Sequence, residues 1–113
     1  MENIDYRKEL EELYPEMTAE YKKILDEQYQ IFCKKMHDYG ISNIMLGGSP
    51  DKPEDRNFAL LGIAIRMADK INRLRNLLFK RREPANESIN DSFRDTMNYS
   101  IIATIIQSGK WGK

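Results

Sequence analysis

The chain has 113 residues, 41% of them hydrophobic and 32% charged, and its 18 Lys and Arg balance its 18 Asp and Glu. That is the profile of one globular domain of modest size, residues 1–113, and a zero net charge argues against a nucleic-acid partner, which a strongly basic chain would invite. Cys33 is the single cysteine, so no internal disulfide framework exists. No basic-then-apolar leader opens the sequence, and no apolar run approaches the roughly 18–20 residues of a membrane span, so the expectation is a cytoplasmic setting with no membrane partner.

Residues 3–13 predict a short amphipathic helix through Ile4, Leu10 and Leu13, ended by Pro15. It is weakly apolar, so residues 1–16 read as an arm. Thr18 is placed to cap a helix over 19–39, whose Tyr21, Ile24, Leu25, Ile31, Phe32, Met36 and Tyr39 recur at a helical period. Gly40 suits its left-handed C′ position. Residues 40–56 hold Gly47-Gly48, Pro50 and Pro53, a connection of the length that is often functional or disordered. Within it, Asp51 followed by Glu54 reads as a capping box.

The central helix is expected at 58–78, FALLGIAIRMADKINRLRNLL. Its first half is apolar almost all round. A polar stripe then runs through Arg66, Asp69, Lys70 and Arg73, within about a third of the circumference. The helix should fade at 80–82, where cations suit the C-terminal dipole. After a break at Glu83-Pro84, Asn86 is the expected cap of a last helix over 87–107. Gly109 ends that helix, and residues 109–113 form a tail. No repeat, low-complexity tract or β-alternation interrupts the pattern. The fold class is therefore all-α: an antiparallel bundle of three long helices plus the short N-terminal one, with its core in 17–108.

The last helix carries a second stripe, Glu87, Asp91, Asp95 and Asn98, within roughly 80° of the wheel. In an antiparallel hairpin it faces Arg66, Asp69, Lys70 and Arg73. Interhelical salt bridges explain any one such pair. The joint pattern invites more, because Asp69-x-x-Asn72 and Asp95-x-x-Asn98 place one D-x-x-N on each helix. Carboxylates from two helices suit a hard divalent ion, and the neighbouring cations suit phosphates.

Other groups are less telling. Cys33 and His37 share a helix face, but two ligands do not make a zinc site. Asp38-Tyr39-Gly40 at the helix end reads as simple C-capping. The basic run from Lys70 to Arg82 is more simply explained by the helix dipole than by a phosphate patch. Trp111, between Lys110 and Lys113, suits a frayed tail or a subunit contact better than a base-stacking platform. There is no G-x-x-x-x-G-K-[ST] loop and no nucleophile–base spacing.

The stretches KKMHDYG (34–40), ADKINRL (68–74) and DTMNYSIIA (95–103) resemble the nucleotide-modification-associated domain family of phages and bacteria. That family is distantly similar to the all-α MazG-like nucleoside triphosphate pyrophosphohydrolases, which carry E-x-x-E and E-x-x-D on successive helices and hold Mg²⁺ there. The resemblance implies a nucleotide ligand, with Asp69 and Asp95 catalytic. It implies Mg²⁺ on Asp69, Glu87, Asp91 and Asp95. Asp38, Tyr39, Arg66, Lys70, Arg73, Asn98 and Tyr99 would then meet the nucleotide. Asn72 and Asn98 stand where those enzymes have carboxylates, and an amide is a poorer Mg²⁺ ligand. Three readings therefore stand: a Mg²⁺-dependent pyrophosphohydrolase of (deoxy)nucleoside triphosphates, a non-catalytic binder of a nucleotide or nucleotide-derived signal, or a helical scaffold whose stripes are only salt bridges.

The apolar faces of 58–68 and 97–106 exceed what two neighbouring helices and an arm can cover. A chain of this size buries only about two-thirds of its unfolded surface. A homo-oligomer, dimer or higher, with the site near a subunit boundary, is expected.

Overall fold

A computed structural model describes residues 3–113; residues 1 and 2 of the expected arm lie outside that range. Four helices follow in order: α1 (Tyr6–Leu13), α2 (Pro15–Tyr39), α3 (Pro53–Phe79) and α4 (Ile89–Gln107). No strand occurs among the described residues, so the class is all-α as expected. The chain divides into two compact units, one ending at Lys34 and one comprising Lys35–Lys113.

In the first unit, Asp5 caps α1 by accepting the Lys8 N–H at 3.1 Å. Pro15 starts α2 instead of merely ending α1, since its fixed φ and missing N–H suit a first helical position. Thr18 consequently lies inside the first turn, where its Oγ1 donates to the Tyr14 carbonyl at 2.9 Å, and the expected Thr18 cap is replaced. α1 buries no residue, and Gln28 is the one buried residue of this unit among those described.

The second unit is built on α3 and α4, the helix pair that packs closely. α3 supplies Ala59, Ile63 and Leu74 to the core, and α4 supplies Ile102 and Ile106. Pro53 opens α3, with Glu54 and Asp55 in the first turn complementing its dipole. The expected Asp51–Glu54 capping box does not form. Lys52 is the N-cap and makes no side-chain cap bond, and the Asp51 carboxylate pairs with Lys113 Nζ at 2.7 Å. α4 is capped by Ser88 instead of Asn86. Ser88 Oγ accepts the Asp91 N–H at 3.1 Å and Asp91 Oδ2 accepts the Ser88 N–H at 3.0 Å. Gly40 takes its expected left-handed conformation, φ +70°, at the end of α2.

Two segments expected at the periphery are core. The 40–52 connection places Ile44 and Met45 inside, and Leu46 Cδ1 lies 3.2 Å from where a Cβ on Gly62 would sit. A side chain at position 62 would require Leu46 to shift by a few tenths of an ångström. The tail is folded as well: Trp111 is buried and its Nε1 donates to the Ile41 carbonyl at 3.0 Å. An indole that buries its ring and satisfies its N–H anchors the chain end, so the expected frayed tail is corrected.

Candidate functional site

The end of α2, the loop after it, α3 and α4 line a cavity of about 230 Å³. Its polar wall is Lys35, Asn43, Arg66, Asp95 and Asn98; Tyr39 and Tyr99 add rings, and Met36, Ile44 and Ile102 the apolar floor. Helical spacing assembles it. Lys35 and Tyr39 stand four residues apart on α2, and Asp95, Asn98, Tyr99 and Ile102 share one face of α4.

Asp95 is the hub. Its Oδ1 accepts from Lys35 Nζ at 3.5 Å and its Oδ2 from Lys70 Nζ at 2.9 Å. Lys70 lies also 3.9 Å from Glu87 Oε2. The hydrogen bond to Asp95 holds the Lys70 ammonium above the ordinary lysine range, against the smaller opposing effect of burial. Asn98 is buried, with its Oδ1 making no hydrogen bond. An orphaned buried amide oxygen costs about 1–3 kcal/mol, a cost that a ligand N–H or O–H would remove.

Four of the seven expected nucleotide residues therefore line one cavity, Tyr39, Arg66, Asn98 and Tyr99, together with Asp95, which was expected as catalytic and metal-binding. Lys70 reaches it through Asp95. Arg73 does not line it. Its guanidinium ties α3 to the start of α4, donating to Ser92 Oγ at 2.7 Å, to the Ser88 carbonyl at 3.2 Å and to the Glu87 carbonyl. Asp38 is exposed and meets the His37 ring at 3.2 Å, outside the cavity wall. Lys35 was missed, although it stands in the KKMHDYG stretch one turn before Tyr39; so was Asn43, which no helical period could place.

The expected Mg²⁺ set Asp69, Glu87, Asp91 and Asp95 is not brought together. Among the described residues, no group of three His, Cys, Asp or Glu side chains is positioned to hold a metal. The physical reasons are local. Because Ser88 takes the cap, Glu87 lies ahead of α4 and leaves the helical stripe. Asp91 is committed to the capping box. Asp69 is exposed and does not line the cavity, and both oxygens of Asp95 face ammonium groups. A Mg²⁺ ion needs several oxygens aimed at one point, and these carboxylates as arranged do not fit it.

No curated protein and no solved structure matches the chain. The second unit's helical part is what a family description matches: residues 35–107 fit nucleotide modification associated domain 1. The match begins where the second unit begins and takes in the whole cavity wall. It covers well over half of the sequence, and the chain belongs to the nucleotide modification associated domain 1 family.

Proposed function

We propose that this protein binds a nucleotide or nucleotide-derived small molecule in the cavity around Asp95, and does so without a metal. The observation that carries the reading is the meeting in one cavity of Arg66 and Lys35, two tyrosine rings, and the polar pair Asp95 and Asn98. Cations suit phosphate, rings suit a base, and a carboxylate beside an amide suits the N–H and O–H groups of base or sugar. The volume, about 230 Å³, is below the roughly 300–1,000 Å³ of pockets that enclose a drug-sized ligand. The cavity thus takes part of a nucleotide and leaves the remainder at its mouth. Family membership supports the nucleotide class. The hydrolase reading, drawn from the two D-x-x-N elements, needs carboxylates that are now committed elsewhere.

Thermal unfolding with ribo- and deoxynucleotides, linear and cyclic, tests this in EDTA and in Mg²⁺. Ligand at about 100 times its Kd stabilises by about 2.7 kcal/mol. The expected result is the same stabilisation in both buffers, with ligand recovered unchanged by mass spectrometry. Arg66→Ala should cost tenfold or more in affinity. No shift with any nucleotide defeats the proposal. Monophosphate and pyrophosphate formed only with Mg²⁺ would reinstate the hydrolase.

The proposal extends to assembly. Phe58, Leu61 and Ile65 are each more than half exposed on one face of α3. Such a row suits a twofold partner. Light scattering at micromolar concentration should exceed the 13.3 kDa monomer, and a clean monomer mass defeats this part.

A further inference from the structure

Besides the Phe58, Leu61 and Ile65 row, the described residues leave two apolar grooves open, one on each unit. On the first unit, α1 and α2 flank a groove of about 570 Å³, lined mainly by Tyr6, Leu10, Met17, Tyr21 and Leu25. Leu13 and Tyr14, between the helices, are more than half exposed. A unit in which Gln28 is the one buried residue among those described lacks the core to hold two amphipathic helices unaided. On the second unit, a wider groove of about 950 Å³ runs between Ile71, Leu74, Leu78, Phe79 and Phe93. Phe79 is 90% exposed there.

The first groove is lined also by Arg7 and Lys22, both paired with Glu11, and the second by Arg75; beyond those linings the neighbouring sequence is of opposite charge. Residues 9–20 carry five glutamates and no cation, whereas residues 75–82, clear of the Lys70 and Arg73 contacts, carry Arg75, Lys80, Arg81 and Arg82 and no carboxylate. The imbalance extends to the units. Residues 1–34 hold nine carboxylates and five Lys or Arg, a net of −4; residues 35–113 hold nine and thirteen, a net of +4. Zero net charge thus conceals an acidic arm and a basic body.

We infer that the acidic, apolar stretch 9–20 of one copy docks in the basic-rimmed groove of α3 and α4 of a second copy. Both surfaces occur once per chain, so reciprocal exchange uses each of them and closes on a twofold axis. Apolar side chains supply the buried area and the opposed charges set partner and register. The inference is independent of the nucleotide reading, since its groove shares no lining residue with the Asp95 cavity.

Charge reversal tests it in the full chain. Glu12→Lys with Glu16→Lys takes residues 9–20 from −5 to −1, and Arg75→Glu with Arg82→Glu takes residues 75–82 from +4 to 0, each reversing the charge at two positions. All four positions are exposed, and helical content by circular dichroism should be unchanged in every variant. Each reversed protein alone should lose association at least tenfold in sedimentation equilibrium. The two mixed in equal amounts should regain it, because the reversed arm positions then face the reversed groove positions and the native arm faces the native groove, and the quadruple variant should regain it alone. Failure of the mixture to recover, or mass unaltered by either reversal, overturns the inference, as does a wild-type monomer at tens of micromolar. Association that depends on Phe58 and not on these charges also overturns it, while leaving nucleotide stabilisation intact. Docking within one chain would give monomers throughout and count against it.

Discussion

The two units show how differently a helix is held. α1 has a well-formed N-cap and acidic residues ahead of its dipole, yet it buries nothing. α3 lacks a side-chain N-cap bond and carries Arg81 strained at its end, yet buries Ala59, Ile63 and Leu74 against α4 and a loop. Local signals therefore decide where a helix starts and stops, while tertiary packing decides whether it stays. The contrast predicts that equal truncations will have unequal effects. Trp111→Ala empties a buried indole site and orphans the Ile41 carbonyl, and should cost about 3–5 kcal/mol in chemical unfolding. Tyr29→Ala in the first unit removes a ring that is 66% exposed and should stay within about 0.5 kcal/mol. Comparable losses at the two positions would erase the distinction between the units.

Arg73 sharpens the account of the second unit. Its three hydrogen bonds join α3 to the first turn of α4, where carbonyls and Ser92 Oγ converge. Arg73→Ala should cost about 1.5–3 kcal/mol, since these are bonds to a charged donor. Arg73→Lys should recover little, because an ammonium cannot reproduce the guanidinium fork. Full recovery by lysine would mean that Arg73 acts through charge alone.

Much of this unit was legible in the sequence, for reasons that can be stated. Apolar period and terminal glycines located α3, α4 and the end of α2, and the opposed stripes placed Lys70 beside Asp95. The misses share a cause. Thr18, Asp51 and Asn86 each have a cap-forming side chain, but Pro15, Lys52 and Ser88 start the helices. A two-residue shift at the start of α4 took Glu87 out of the acidic stripe and Asp91 into a cap, so the four carboxylates expected to share a metal are not gathered at one point. Trp111, Ile44 and Met45 were unreadable because irregular segments have no period to reveal which side chains turn inward.

The Lys70–Asp95 pair gives a smaller, pH-dependent effect. Lys70 is held above its ordinary value, so the stabilisation is complete below the usual lysine pKa of about 10.4 and is lost as pH rises through the raised value. Unfolding followed across the alkaline range should show that loss in the wild type and a diminished one in Asp95→Asn. Identical alkaline profiles would remove the pair from the stability of the site and leave it a role in binding alone.

The smallest effect runs in the opposite direction. α3 ends in a reversal in which Arg82 N–H meets the Leu77 carbonyl at 3.0 Å and Arg81 N–H the Leu78 carbonyl at 3.3 Å. That arrangement forces Arg81 to φ +51°, a left-handed conformation usually given to glycine or asparagine. An L side chain with a Cβ pays about 1–2 kcal/mol for it, offset in part by the greater freedom glycine has when unfolded. Arg81→Gly should therefore stabilise the protein by up to about 1 kcal/mol, and Arg81→Asn by less. The gain should appear as a higher unfolding midpoint with unaltered helical content. A loss on going to glycine would show that the Arg81 side chain contributes more than its backbone strain costs.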